Sequence, residues 1–300
     1  MLDKTIDVKK IAKGTIHRAD GMSMVAGGKG INVSRQLRKL GVDSLATGFL
    51  GGETGAIVRR LLDEEGITHD FVDTNALTRE GLTFREQDGT STAVFEPSLR
   101  TDANCAEELK NKLRVLSRKS SWFVCSGSSP GNEVDGLFRE VLGIAQQAGV
   151  MGVLDSYGRA FEAGLTACPS LVKPNKHEFE QTFGVRIETE PEFLEALNHL
   201  LGKGIQYCII SNGPLPCYAA LRGHYWRVIP PKIPTVNAIG SGDAMIAGIL
   251  YGFSQGWKFQ RSLTFGIAAG AANASTWKVA SSSLQEIAAL EQEVAIQRIG

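Results

Sequence analysis

The sequence predicts an α/β fold in which a mainly parallel central sheet is flanked by helices and carries a small β-lid. Three observations point there. Short apolar, β-rich runs recur at residues 121–125 (SWFVC), Met151–Asp155 (MGVLD) and 206–211 (QYCIIS). Amphipathic stretches at helical spacing separate them, the pattern of βαβ units whose strands are covered on both faces. Two segments, 4–24 and 81–96, break this rhythm as short, more polar strands.

Taken in order, residues 4–24 supply the first lid strands. Gly27, Gly28 and Gly30 then open a helix carrying Leu37 and Leu40, with no clear strand before them. Within residues 71–97, the runs 81–86 and 92–95 flank Gln87-Asp88-Gly89-Thr90, a hairpin turn built on Asp-Gly. In 132–149, Val134, Leu137, Val141 and Ala145 recur at helical spacing and Gly149 is the stop signal. A helix runs from Ala244 to Phe253, and 283–300 reads as a closing amphipathic helix. No repeat, low-complexity tract or linker divides the chain, so residues 1–300 read as one domain bearing the lid.

Composition narrows the function classes. Lys plus Arg number 32 and Asp plus Glu 32, a balance that excludes a general nucleic-acid surface. No stretch approaches the roughly 20 apolar residues of a membrane helix. Five cysteines without a CxxC pair, and an N-terminus without an apolar core, fit a cytoplasmic, reducing setting. Cys125 and Cys208 lie in apolar runs and read as core residues.

Two glycine motifs carry chemistry. In Asn237-Ala-Ile-Gly-Ser-Gly-Asp-Ala-Met, Gly240, Ser241 and Gly242 let backbone N–H groups converge at a helix start, where the partial positive charge favours an anion. Asp243 at its mouth can accept a proton from an attacking hydroxyl. An N-cap aspartate after a glycine turn explains the same residues equally well. In Ala26-Gly-Gly-Lys-Gly-Ile-Asn-Val-Ser, the turn brings a ligand close to the backbone, where Lys29 and Asn32 can bond sugar hydroxyls. It has neither Walker A nor dinucleotide-loop spacing, and a simple tight turn accounts for it as well.

In this order and separation, the two motifs resemble those of the ribokinase-like sugar kinases, phosphofructokinase-B branch. Gly48–Gly55 (GFLGGETG), the 126–131 loop Ser-Gly-Ser-Ser-Pro-Gly and Lys173-Pro-Asn-Lys-His-Glu178 extend the similarity to most of the chain. The resemblance implies the ribokinase-like three-layer fold and ATP-dependent phosphorylation of a phosphorylated hexose. It favours a 1-phosphofructokinase, with 6-phosphofructokinase or tagatose-6-phosphate kinase next. It implies Asp243 as general base and Gly240, Ser241 and Gly242 as anion hole. Asn175 and Glu178 would organise Mg²⁺, largely through water. Lys173, Ser211 and Gly213 would border ATP, and Ile267 and Ala271 its adenine. Asp3, Gly28, Lys29 and Asn32 would hold the sugar. Arg18, Arg79 and Ser128 would clamp the phosphate already on it, which a guanidinium suits. Two exposed arginines are the plainer reading of Arg18 and Arg79. The lid's exposed edges allow a homodimer.

Departures bear on substrate more than fold. The family's strand ahead of Asp3 does not precede it here, which predicts an Asp3 near a mobile terminus. Gly81 replaces a frequent Asn, Phe95-Glu-Pro-Ser replaces EPGP, Pro216 replaces a glycine on the nucleotide side, and Ala238 replaces a Thr. A catalytically silent sugar-phosphate sensor is the competing reading.

Overall fold

The computed structural model describes residues 1–97, 101–129, 131 and 134–300. Ser98, Pro130 of the 126–131 loop and Asn132 at the head of the expected helix lie outside them. The elements run β1 (Leu2–Val8), β2 (Gly21–Ala26), α1 (Lys29–Lys39), β3 (Phe49–Leu50), α2 (Gly52–Glu65), β4 (Val72–Asp73), β5 (Glu80–Glu86), β6 (Ser91–Phe95), α3 (Ala103–Leu116), β7 (Trp122–Ser126), α4 (Leu137–Gln147), β8 (Met151–Asp155), α5 (Gly158–Leu165) and β9 (Leu171–Val172). They continue α6 (Lys176–Phe183), α7 (Glu190–Leu201), β10 (Tyr207–Ile210), β11 (Cys217–Leu221), β12 (His224–Ile229), α8 (Ser241–Ser254), α9 (Phe259–Ala274), α10 (Leu284–Glu291) and β13 (Ala295–Ile299).

The main sheet has the order β13-β12-β11-β10-β9-β8-β7. Strands β7 to β10 are its parallel core, extended by antiparallel β11, β12 and β13. The pleat sorts its residues between two cores. Leu154, Val172, Cys208 and Ala220 face one, with α4 and α7. Their neighbours Val153, Leu171, Ile209 and Ala219 face the other, with α1, α8 and α9. Both faces are dry, which explains the near-continuous apolar strands. Cys125 and Cys208 are buried as expected, and burial pushes both thiols up to about 12.

A four-stranded sheet of order β2-β1-β5-β6 stands apart from the main sheet. Strands β5 and β6 form the expected hairpin, while β1 pairs antiparallel with β2 and parallel with β5. Strands β3 and β4 make a separate parallel pair.

Three expectations are corrected. Strand β2 directly precedes the first glycine motif. Asp3 does not sit on a loose end, because β1 is held by a partner on each side. The C-terminal stretch is not one helix: after the capping box of Ser283 and Glu286 starts α10, the alternating Ala295–Ile299 pairs with β12 as an edge strand. Pairing with β12 and period-2 spacing outweigh helix propensity there.

Helix α8 lies against α9 along a seam of small residues. A Cβ on Gly248 would come within 2.8 Å of the Gly266 Cα, so both positions require glycine. This close contact fixes the start of α8, where the second glycine motif sits.

Candidate active site

A cleft of about 2020 Å³ runs between the four-stranded sheet and the ends of the main strands. Its floor lies just past the carboxyl ends of β9 and β10, where ligands gather in open α/β sheets.

At the centre is Asp243, 3% exposed. It is the third residue of α8, whose N-cap is Gly240 with φ 80°, so the N-cap reading of the aspartate is replaced by a first-turn carboxylate. Gly240 needs that positive φ, and a Cβ there would lie 2.4 Å from Val279. Asn32 donates from Nδ2 to Asp243 Oδ2 at 2.8 Å. Burial, then the charge of Asp155, raises the Asp243 carboxyl to about 7, against the Asn32 hydrogen bond and the ammonium groups of Lys29 and Lys173. Ser241 Oγ accepts from Asn273 Nδ2 at 3.0 Å, so Asn273 on α9 orients the glycine turn. Gly242 faces Lys173, whose Nζ would stand 3.0 Å from an added Cβ.

Around this centre lies an alternation of charge. Lys173, 2% exposed, pairs with Asp155 at 3.2 Å. Lys29 Nζ is 2.8 Å from Glu178 and 3.6 Å from Asp155. Burial works against the Lys29 charge, but Asp155, Glu178 and Asp243 outweigh it and hold the ammonium above its usual range. Lys29 therefore faces the carboxylates of Asp155 and Glu178 while lining the cleft. Asp155, fully buried at the end of β8, is a residue the motifs missed. The available signal was a carboxylate closing an apolar parallel strand.

Asn175 and Glu178 sit together as expected, but reciprocally. Asn175 Oδ1 accepts from the Glu178 N–H at 2.8 Å, and the Asn175 N–H donates to Glu178 Oε2 at 2.9 Å. This capping box starts α6. Among the described residues no group of three or more His, Cys, Asp or Glu is arranged to hold a metal ion.

On the opposite wall, Asp3 Oδ1 is buried without a hydrogen-bond partner among the described residues. Burial raises this carboxyl, opposed by the Met1 ammonium, Arg35 and Arg79. Its space is made by glycines: a Cβ on Gly27 would lie 1.8 Å from Asp3 Oδ2, and one on Gly81 2.7 Å from Oδ1. Gly81 thus has a steric role rather than marking only a lost contact. Gly28, with φ 118°, lines the same wall.

The three clamp candidates lie on three different segments. Arg18 is exposed on the connector between β1 and β2, away from the cleft lining. Arg79 is half-buried beside Asp3, and Ser128 lies half-buried in the 126–131 loop. Arg85 on β5, which the motifs missed, does line the cleft. It pairs with Asp7 at 2.5 Å and stacks on Trp277 with its guanidinium carbon 4.9 Å from the ring centre.

Nucleotide-side candidates do converge. Ser211 bridges to Asn175, and Gly213 turns with φ 58°. Ile267 and Ala271, on one face of α9, line the same cleft, as does Ala238. Pro216 falls in the connector from β10 to β11.

The pfkB family carbohydrate kinase model matches residues 1–286. The chain belongs to this family. The chain is 35% identical to a 1-phosphofructokinase of Borreliella burgdorferi over 274 residues, 91% of this chain and 88% of the relative. It is 30% identical to a tagatose-6-phosphate kinase of Staphylococcus epidermidis over 241 residues, 79% of this chain and 77% of the relative. The crystal structure of a possible 1-phosphofructokinase from Thermotoga maritima superimposes with a TM-score of 0.91 at 27% identity, covering 100% of this chain and 97% of that one. The fold is the ribokinase-like α/β fold that the sequence implied. No helix among the described residues is long and apolar enough to cross a membrane.

Proposed function

We propose that this kinase moves the γ-phosphoryl group of ATP onto a hydroxyl of a phosphorylated hexose. Fructose 1-phosphate, taking the group at O6, is the first choice. Fructose 6-phosphate and tagatose 6-phosphate, taking it at O1, come next. The observation that carries this reading is the buried Asp243 at the mouth of the Gly240–Gly242 turn, with Lys173 beneath the turn and Asp3 on the facing wall. The names of the two curated relatives support the substrate class.

In this reading Asp3, Gly28 and Asn32 hold the sugar, and the unpartnered Asp3 Oδ1 accepts from a hydroxyl. Arg79 and Ser128 take the phosphate already present, and Arg18, exposed on the β1–β2 connector, is the outer member of the clamp. Asp243 accepts the proton of the attacking hydroxyl. The N–H groups of Gly240, Ser241 and Gly242, with Lys173 and Lys29, stabilise charge on the transferring group. Ser211, Gly213, Ile267 and Ala271 flank the nucleotide.

Mg²⁺ fits this site as an ion that brings its own ligands. Asp155 has two buried oxygens without hydrogen bonds, and Glu178 stands beside it across Lys29. These two, with Asn175, would hold its waters, and the ion would neutralise phosphate charge. The four-stranded sheet acts as a lid that excludes water. The exposed Met22 and Val94, on its face away from the cleft, favour a homodimer through this sheet. Five unpaired cysteines suit a cytoplasmic setting.

The test is ADP release with Mg-ATP against fructose 1-phosphate, fructose 6-phosphate, tagatose 6-phosphate, fructose and ribose. Turnover with one phosphorylated hexose supports the reading and names the substrate. Binding without turnover across the panel would replace it with the sensor.

A further inference from the structure

Arg35, on α1 just past Ser34 of the first glycine motif, carries no role expected from the sequence, yet it is 8% exposed and fully engaged. Its Nη1 donates to Asn32 Oδ1 at 2.8 Å. Its Nη2 donates to the Ala26 carbonyl at 2.5 Å and to Glu65 Oε1 at 2.9 Å, and Nε donates to the other Glu65 oxygen. Asn32 in turn donates from Nδ2 to Asp243 at 2.8 Å. A continuous chain therefore runs from Glu65 at the end of α2, through Arg35 and Asn32, to Asp243.

The chemistry of the links sets its direction. A guanidinium carries only donors, so it can donate only to the oxygen end of the Asn32 carboxamide. With Oδ1 turned to Arg35, Nδ2 must face Asp243. A carboxamide turned the other way would set oxygen lone pairs against a buried carboxylate and leave the Arg35 donor facing an NH₂ group. The other charged groups acting on Asp243 are Asp155 from β8, Lys29 from α1 and Lys173 from the segment after β9. None of these orients the amide.

We propose that Arg35 is a positioning residue for phosphoryl transfer, acting through Asn32: it locks the carboxamide so that Asp243 always meets a donor. Its bond to Ala26, the last residue of β2, ties that orientation to the sheet bearing Asp3. The inference rests on the kinase reading with Asp243 as base.

The experiment is a double-mutant cycle on the full chain, using the sugar phosphate selected by the panel. Arg35→Lys keeps the charge but loses the fork. It lowers kcat by about tenfold or more, with the KM for ATP within about twofold of wild type. In an Asn32→Ala background the same change adds less than about twofold, because its effect passes through Asn32. Glu65→Gln, which loosens the guanidinium while leaving Arg35 in place, shows a smaller kcat loss that also vanishes in that background. It serves as the second variant if Arg35→Lys unfolds early. Additive losses from an active wild type overturn the inference and leave the kinase reading intact. So does a change confined to the sugar KM, which would place the effect at Asp3. A wild type with no turnover on any sugar overturns both.

Discussion

Lys29 and Glu178 are 149 positions apart in the chain and 2.8 Å apart across the cleft. Their ion pair joins the helix of the first glycine motif to the helix opened by Lys173-Pro-Asn-Lys-His-Glu178. It also sets an ammonium beside Asp155 and near Asp243, where its charge acts on both carboxyls.

Removing that charge leaves Asp243 with less support for its ionised form. Lys29→Met shifts the acid limb of the kcat profile to higher pH and lowers kcat above the limb by about tenfold. A pH–rate series on both proteins measures this. An unmoved limb would sever Lys29 from the base.

Asp243→Asn removes the proton acceptor and lowers kcat by about a thousandfold, with sugar and nucleotide binding retained by calorimetry. In the wild type, kcat/KM rises with pH through about 7 and levels above, as Asp243 ionises.

The same burial has a cost in stability. Because the folded carboxyl is raised from 3.8 to about 7, the folded protein binds more protons than the unfolded chain between those values, and this contribution falls as pH rises. Asp243→Asn therefore melts a few degrees above wild type at pH 8, and the gap narrows toward pH 5. Calorimetric scans at both pH values check the sign.

Gly27→Ala pushes a methyl group into Asp3, since the added Cβ would sit 1.8 Å from Oδ2. The KM for the sugar rises by about tenfold while the KM for ATP holds. Equal changes in both would place Asp3 elsewhere in the mechanism.

Arg85 on β5 stacks on Trp277 in the connector after α9, and both line the cleft. Trp277→Leu loosens this contact and admits water. ATP hydrolysis without sugar then rises about threefold relative to transfer, read as ADP release in the absence of acceptor.

Much of this was legible in the chain. The apolar runs of β7, β8 and β10 announced a sheet covered on both faces, and Asp88-Gly89 announced the β5–β6 hairpin. Locally encoded glycine turns located the starts of α1 and α8. Less legible was anything decided by distant partners. Ala295–Ile299 is a strand because β12 offers it an edge, and Arg18 stands outside the cleft because its connector does.

By itself the sequence determined the α/β class, the order of the motifs and the presence of a carboxylate at a glycine-opened helix. These rest on local backbone preferences and hydrophobic period, which neighbouring residues alone specify. Only the tertiary structure decided that Lys29 faces Glu178 and Asp155, that Gly27 and Gly81 make room for Asp3, and that Arg35 orients Asn32 toward Asp243. Those relations join residues far apart in the chain, and which side chain neutralises or orients another is set by packing in three dimensions, to which sequence spacing is blind.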